Sequence, residues 1–355
     1  MIQEALEKVV RDEDLPRSEA EAAMEDILAG RANEAQIAAF LTALHMKGET
    51  AEEVVGFAKA MRRHAATIFP DGWPYAHEPL VDTCGTGGDA RGTFNVSTAA
   101  AIVAAGAGAR VAKHGNRSYT SKCGSADVLE QLGVRMDLAP EQVARCIEEV
   151  GIGFLYAPAM HTAMRHALPV RRALRIRTVF NLLGPLTNPA GASAQVVGVY
   201  DSELTELVAR ALGELGVKRA FVVHGADGLD EISISGETQV AELRNGEVRS
   251  FVVTPEDFGL PRAPIERIGG GDAKENAQII HKIFGRSMLM KEHGARRDIV
   301  LANASAALVA AGRAGDFLEG VHMATQSIDS GAARDKLDAL VKFTLVAQER
   351  GQSAS

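Results

Sequence analysis

The sequence predicts an α/β protein in which a small helical domain precedes a larger domain with a mostly parallel central sheet. Two observations support this prediction. Roughly the first 65 residues carry only helical patterns. After a turn-rich segment at 69–74, short apolar runs alternate with helical stretches, which is typical of a parallel sheet covered by helices. One exception is a predicted hairpin, in which Asn245-Gly246 joins the runs 240–244 and 248–253.

The N-terminal helices are marked by capping-box patterns, in which two side chains satisfy the free N–H groups at a helix start. In the helix predicted after residue 33, apolar residues recur at the spacing of one buried face. Nothing in this helical part suggests chemistry, so we expect it to serve packing or subunit contact. The three patterns are Ser18 with Glu21, Asn33 with Gln36, and Thr50 with Glu53.

Composition limits the classes of function. The chain has 355 residues, of which 46% are hydrophobic and 24% charged, as in ordinary globular proteins. Its net charge of −8 argues against nucleic acid or an anionic membrane as the main partner. The three cysteines show no metal-ligand spacing, and we find neither a signal peptide nor a long apolar run. We therefore expect a cytoplasmic protein with reduced thiols and no membrane span.

The strongest local motif is a glycine-rich loop at 82–89 between an apolar strand and a helix. Gly85, Gly87 and Gly88 let backbone N–H groups approach an anion closely. The following helix adds its N-terminal N–H groups and positive dipole end. A tight turn with ordinary capping is the alternative, because short glycine motifs occur often by chance. Neutral donors suited to phosphate oxygens stand near the helix start: Asn95, Ser97 and Thr98.

A second polar loop begins at Lys113 and follows the next predicted strand. Ligands of parallel sheets gather at the carboxyl ends of the strands, and Lys113 can pair with a pyrophosphate. A solvated polar loop is the alternative, but two such loops are harder to dismiss than one. Asp89 in the first loop is unsuited to a pure anion site. It fits a sugar hydroxyl or a metal-bound water instead.

Two further groups are candidates for a metal and a carboxylate substrate. The neighbouring carboxylates Asp230 and Glu231 follow a strand and can each offer an oxygen to Mg²⁺, although such pairs are more often simply solvated. One of several arginines can fork onto a substrate carboxylate, but the residues alone do not say which. These arginines are Arg171, Arg172, Arg175 and Arg177.

Seven motifs of the chain resemble those of the anthranilate phosphoribosyltransferase family and occur in the same order as in that family. Together they span about two-thirds of the chain. The resemblance implies a fold of the nucleoside phosphorylase type. It implies a discontinuous helical domain (1–72 and about 167–192), a PRPP-binding α/β domain (75–166 and 193–355), an active site between them, and a homodimer through the helical domain. The motifs lie at 85–89, 95–98, 113–117, 124–127, 177–181, 184–189 and 230–231.

The resemblance also implies the reaction: the 5-phosphoribosyl group of phosphoribosyl pyrophosphate (PRPP) moves to the amine of anthranilate, in tryptophan biosynthesis. Two Mg²⁺ ions would be held by Ser97, Asp230 and Glu231, and the catalytic residues would be Lys113 and Arg177. The implied PRPP contacts are Gly85, Thr86, Gly87, Gly88, Asp89, Thr93, Asn95, Ser97, Thr98, Lys113, Gly115, Asn116 and Ser125. The implied anthranilate contacts are Gly85, His114, Asn116, His161 and Arg177. Association with an anthranilate synthase partner stays open.

The chain departs from the family pattern at Tyr119, Thr120, Cys123 and Thr162, of which Tyr119 is the change expected to matter for the acceptor. Two other functions remain. A pyrimidine nucleoside phosphorylase of the same fold would use free phosphate, but the Arg177 motif and the Asp230–Glu231 pair favour PRPP. A non-catalytic nucleic-acid-binding relative fits poorly with an acidic chain.

Overall fold

The computed structural model describes residues 1–70, 72–87, 91–118, 122–285 and 294–352, with side chains up to residue 347. Among these residues, four helices precede the first strand: α1 (Ile2–Val9), α2 (Arg17–Leu28), α3 (Glu34–Lys47) and α4 (Ala51–Arg63). The capping boxes at Asn33 and Thr50 are confirmed. The one predicted at Ser18 is wrong, because Pro16, which has no N–H and a fixed φ, occupies the N-cap and the helix begins at Arg17.

The rest of the described chain alternates strands and helices before it becomes entirely helical. From the sequence we expect a late helix from Asp272 to Met290, and this helix ends earlier, at Ile283, ahead of Gly285. Position 290 lies outside the described residues. Short 3₁₀ turns occupy Thr162–His166, Pro255–Phe258 and Ile265–Ile268. The elements are β1 (Leu80–Gly85), α5 (Val96–Gly106), β2 (Arg110–Gly115), α6 (Ser125–Gln131), α7 (Pro140–Val150), β3 (Ile152–Tyr156), α8 (Ala157–Met160), α9 (Leu168–Leu174), α10 (Val179–Leu186), β4 (Ala194–Gly198), α11 (Leu204–Glu214), β5 (Arg219–Gly225), β6 (Thr238–Arg244), β7 (Glu247–Val253), α12 (Ala273–Ile283), α13 (Ala295–Ala310), α14 (Phe317–Asp329) and α15 (Ala332–Gln352).

In the described part of the chain, the strands form one seven-stranded sheet in the order β3-β2-β1-β4-β5-β6-β7. The first five in this order pair in parallel, and β6 and β7 add the predicted antiparallel hairpin. Its turn residues Asn245 and Gly246 have positive φ angles of 51° and 89°. Strand order reverses direction at β1, with β2 on one side and β4 on the other. Such a switch point leaves a crevice at the carboxyl ends of the strands, where α/β proteins bind ligands.

Alternate residues of the central strands are buried on opposite faces of the sheet. In β4, Val196 packs into the cluster formed with α5 and α13, whereas Val197 packs into the cluster shared with α11 and the N-terminal helices. In α13 every residue from Ile299 to Ala310 is buried, which explains its apolar sequence. Among the described helices, none is both long enough and apolar enough to span a bilayer.

Arg62 joins the N-terminal helices to the rest of the molecule. Its guanidinium donates to the carbonyl oxygens of Leu186 and Leu215, at 2.8 and 2.7 Å, at the ends of α10 and α11. Burial lowers the pKa of Arg62 to about 10, so the group remains charged at neutral pH. The negative ends of two helix dipoles stabilise that charge.

Glu53 is expected to contribute strongly to the stability of the helical part. It is fully buried, accepts from the N–H groups of Leu15 and Thr50 at 2.9 and 2.8 Å, and pairs with Lys47 at 3.0 Å. Replacing it by alanine leaves the buried Leu15 N–H and the half-buried Thr50 N–H without this acceptor, so we expect Glu53→Ala to lower the free energy of unfolding by about 3 kcal/mol in urea titrations. The exposed Glu52 is the control, and Glu52→Ala should cost under ~1 kcal/mol. Equal costs would contradict the prediction.

Candidate active site

A cavity of about 720 Å³ lies at the carboxyl ends of the parallel strands, at the switch point of the sheet. It brings together all the predicted site residues that the structure describes. Gly88 and Asp89 lie outside the described residues, as do Tyr119 and Thr120. The predicted residues that line the cavity are Gly85, Thr86, Gly87, Thr93, Asn95, Ser97, Thr98, Lys113, His114, Gly115, Asn116, Ser125, His161, Arg177, Asp230 and Glu231.

Glycines at the strand ends make room for the loop that carries the carboxylates. A Cβ atom on Gly198, the last residue of β4, would overlap the main chain of Asp230. A Cβ atom on Gly85, the last residue of β1, would overlap the Asp230 carboxylate. The loop after β5 therefore lies directly over the ends of β1 and β4, and this places Asp230 in the cavity.

The two carboxylates bind the backbone of the glycine-rich loop and of the helix after it. Asp230 Oδ2 accepts from the Gly87 N–H at 2.8 Å, and Glu231 Oε1 accepts from the Ser97 N–H at 3.0 Å. No group of three or more His, Cys, Asp or Glu side chains is placed to hold a metal ion within the described ranges. Mg²⁺ at phosphate sites commonly uses only one or two carboxylates, with substrate phosphates and waters as its other ligands. The donors present therefore fit Mg²⁺ bound together with a phosphorylated substrate.

Lys113 is buried beneath this site and is only 3% exposed. Its ammonium donates to the Thr83 carbonyl and lies 3.5 Å from Ser97 Oγ. Burial lowers the pKa of Lys113, while the nearby carboxylates of Asp82 and Glu231 act in the opposite direction. The side chain therefore places its amino group directly behind the start of α5.

Asp82 and Asn188 hold the ends of β1 and β2 together, and the sequence reasoning assigned neither a role. Asp82 accepts from the His114 N–H at 3.1 Å and from Asn188 Nδ2 at 2.8 Å. Asn188 also donates to the Ala112 carbonyl at 2.9 Å. Burial raises the pKa of Asp82, opposed by Lys113 and by these hydrogen bonds. In the sequence, this role is indicated by a carboxylate, that of Asp82, inside an otherwise apolar strand.

Two neutral histidines form another wall of the cavity. The rings of His114 and His161 have centroids 5.1 Å apart, and His114 Nδ1 lies 3.2 Å from the Gly184 carbonyl. Burial lowers the pKa of His114 to about 3 and that of His161 to about 4. Each Nε2 atom is buried without a hydrogen-bond partner among the described residues. Flat, uncharged rings with unused nitrogen atoms suit an aromatic ligand that carries a polar substituent.

Because of these two histidines, we expect the folded protein to become less stable as the pH is lowered. Their folded-state pKa values of about 3 and about 4 lie below the ordinary 6.5, so the unfolded chain binds more protons between these limits. The free energy of unfolding then falls as the pH is lowered, by up to ~1.4 kcal/mol per pH unit for each histidine. Urea midpoints at about pH 7 and about pH 5 measure the slope. A His161→Gln variant should show a shallower slope, and an unchanged one would contradict the argument.

The structure narrows the choice among the arginines. Arg171 and Arg177 line the cavity, whereas Arg172 and Arg175 are not among its lining residues. Arg177 Cζ lies 4.2 Å from the centroid of the Tyr200 ring, and the Tyr200 N–H donates to Thr86 Oγ1 at 3.1 Å. Tyr200 therefore links the glycine-rich loop to the arginine. The sequence reasoning missed it because the two segments are far apart in the chain.

Known proteins match both parts of the chain. Residues 3–65 match the helical bundle domain of a glycosyl transferase family, and residues 77–334 match its a/b domain. The anthranilate phosphoribosyltransferase of Symbiobacterium thermophilum is 57% identical over 339 residues, which cover 96% of each chain. This chain belongs to the anthranilate phosphoribosyltransferase family. The predicted family and enzyme class, a pentosyltransferase, are confirmed.

Solved structures of anthranilate phosphoribosyltransferases confirm the predicted fold. The protein from Thermus thermophilus is 43% identical, with a TM-score of 0.88 over 96% of this chain and 99% of that one. The Saccharomyces cerevisiae protein in complex with PRPP and Mg is 30% identical, with a TM-score of 0.86 over 97% of this chain and 98% of that one. This chain therefore shares its small helical domain and its larger α/β domain with a mostly parallel sheet with these solved structures.

Proposed function

We propose that this chain transfers the 5-phosphoribosyl group of PRPP to the amine of anthranilate and releases pyrophosphate, as a step of tryptophan biosynthesis. The observation that carries the proposal is the composition of one cavity. The glycine-rich loop and the Asp230–Glu231 pair meet an arginine and two neutral histidines around it. The glycine-rich loop and the two carboxylates suit a magnesium diphosphate, whereas the arginine and the two histidines suit an aromatic carboxylate. Family membership supports the same pairing of substrates.

The first turn of α5 and the loop before it would bind the phosphates of PRPP. Backbone N–H groups at a helix start, together with the dipole of the helix, favour anions. Thr98 Oγ1 is buried and has no hydrogen-bond partner among the described residues, and its residue lines the cavity. This hydroxyl is suited to donate to a phosphate oxygen, as are the side chains of Asn95 and Ser97.

Two Mg²⁺ ions would be held by Asp230, Glu231 and the Ser97 hydroxyl, with the diphosphate of PRPP. When bound, Mg²⁺ neutralises charge on the departing pyrophosphate. Lys113 would add positive charge behind the same group, an electrostatic contribution fixed before the reaction begins. The predicted role of Lys113 rests on its place beside Ser97.

Anthranilate would lie with its carboxylate on Arg177 and its ring against His114 and His161, while Asn116 orients the amine. The amine nitrogen attacks the anomeric carbon, the bond from that carbon to pyrophosphate breaks, and the amine proton leaves to solvent. An aromatic amine is neutral at pH 7, so the chain supplies orientation rather than a strong base. Orientation alone can lower a barrier by ~7–11 kcal/mol. No covalent enzyme intermediate is expected.

The domain limits and the assembly follow the family pattern in this proposal. The helical domain would comprise 1–72 and about 167–192, which is supported by the packing of α9 against α3 and of α10 against α4. The protein would act as a homodimer through this domain in the cytoplasm.

The test is the loss of anthranilate fluorescence on addition of PRPP and Mg²⁺, with and without EDTA. We expect a loss that requires both PRPP and the metal, together with pyrophosphate release. A folded protein that gives no such loss would refute the proposal. Parallel assays with free phosphate and a pyrimidine nucleoside, and gel shifts at physiological salt, would then address the two alternative functions.

A further inference from the structure

The side-chain amide of Asn95 is held in one orientation by groups outside its own loop. Its Oδ1 accepts from Asn276 Nδ2 at 3.0 Å and from Cys123 Sγ at 3.3 Å. Its Nδ2 donates to the Cys123 carbonyl at 3.2 Å. Burial raises the pKa of the Cys123 thiol to about 11, so the sulfur remains protonated and able to donate at neutral pH. With two donors on the oxygen, turning the amide over would break three hydrogen bonds.

Asn276 is itself fixed. It is 1% exposed, and its Oδ1 accepts from the Gly271 N–H at 2.8 Å. On α12 it shares the buried face with Ile280 and Ile283, so an amide stands where the helical pattern calls for an apolar residue. A buried polar side chain on an apolar face needs a partner, and here the partner is Asn95.

The segment before α12 supports the same part of the loop. The Gly270 N–H donates to the Gly92 carbonyl at 2.8 Å, and Thr93 forms a bridge with Gly269. A Cβ atom on Gly270 would lie 2.5 Å from the Phe94 nitrogen, so only glycine fits there without displacing the loop. The segment 269–276 therefore supports residues 92–95 from outside the cavity.

We propose that Asn276 is a positioning residue for PRPP: it fixes the amide of Asn95 so that the NH₂ group faces the phosphates. This inference rests on the proposed function. An amide NH₂ has two hydrogens, and Cys123 accepts one of them. The second is left for a ligand in the cavity that Asn95 lines. If the amide were reversed, its oxygen would face the phosphates and repel them.

The central variant is Asn276→Asp, which keeps the size of the side chain and the acceptor for Gly271. It replaces the donor that faces Asn95 Oδ1 by a second acceptor, so the Asn95 amide turns over. We expect the Kd of PRPP, measured by calorimetry with Mg²⁺ and without anthranilate, to rise roughly tenfold or more. The KM of anthranilate should stay within about twofold. Asn276→Ala removes the donor without adding charge and should show the same selective loss.

A double-mutant cycle separates positioning from general destabilisation. In an Asn95→Ala background, Asn276→Asp should change the Kd of PRPP by less than about twofold, because no amide is left to orient. Gln278→Ala, at an exposed site of α12, is the control and should bind PRPP like the wild type. Thermal unfolding shows that each variant is folded.

The outcomes distinguish this inference from the proposed function. If the wild type forms product and folded Asn276→Asp binds PRPP normally, or if the two substitutions act additively, the inference is wrong. If the wild type binds PRPP but does not consume anthranilate, the proposed function fails, and the calorimetric cycle still decides the role of Asn276. A wild type that binds no PRPP would overturn both.

Discussion

Replacing Asp230 by Asn and Glu231 by Gln together is expected to lower kcat by ~10³-fold and to abolish its response to Mg²⁺. The two carboxylates are the acidic side chains that line the described cavity, and both reach the glycine-rich loop or the start of α5. Without their charge, a metal that screens the departing pyrophosphate would be held only by the diphosphate and the Ser97 hydroxyl. Initial rates over a Mg²⁺ titration at saturating PRPP and anthranilate measure the effect.

Asn and Gln have nearly the same shape as Asp and Glu, so this double substitution tests the loss of charge and not a change of structure. Asn and Gln keep an oxygen that can accept from the Gly87 and Ser97 N–H groups, so the loop should stay in place. The control is Glu203→Gln with Glu206→Gln, two exposed positions that change the net charge equally. A folded Asp230→Asn, Glu231→Gln protein with wild-type turnover would rule the pair out as the metal site.

Arg177→Ala is expected to raise the KM of anthranilate by ~10²-fold, because the proposed forked pair of hydrogen bonds to the substrate carboxylate would be lost. The KM of PRPP should change little. Arg177→Lys keeps the charge but not the fork and should recover only part of the affinity. Steady-state kinetics with each substrate varied in turn provide the measurement.

The other arginines supply the controls. Arg172 is exposed and is not a lining residue of the cavity, so Arg172→Ala should leave both KM values unchanged. Arg171 lines the cavity, and its Cζ lies 5.2 Å from the Phe180 ring centroid. If Arg171→Ala raised the anthranilate KM more than Arg177→Ala, the carboxylate would have been assigned to the wrong arginine.

Each part of the site that sequence analysis found is a short continuous segment of the chain. The glycine-rich loop, the strand before it and the helix after it occupy one stretch, so residue type and hydrophobic period together predict their form. The Asn245-Gly246 hairpin was predictable for the same reason, since its turn depends on two adjacent residues. Element limits were less accurate. A preceding proline moved the start of α2, and α12 ended ahead of Gly285.

The sequence by itself determined the fold class, the family and the residue types available for phosphate, metal and carboxylate. Only the tertiary structure decided which of them meet. Asp230 reaches Gly87 across 143 positions, Asn188 reaches Asp82 across 106, and Asn276 reaches Asn95 across 181. Such contacts depend on strand order and helix packing, which bring distant segments together. No local sequence pattern predicts these partners, because each donor and its acceptor come together only in the folded structure.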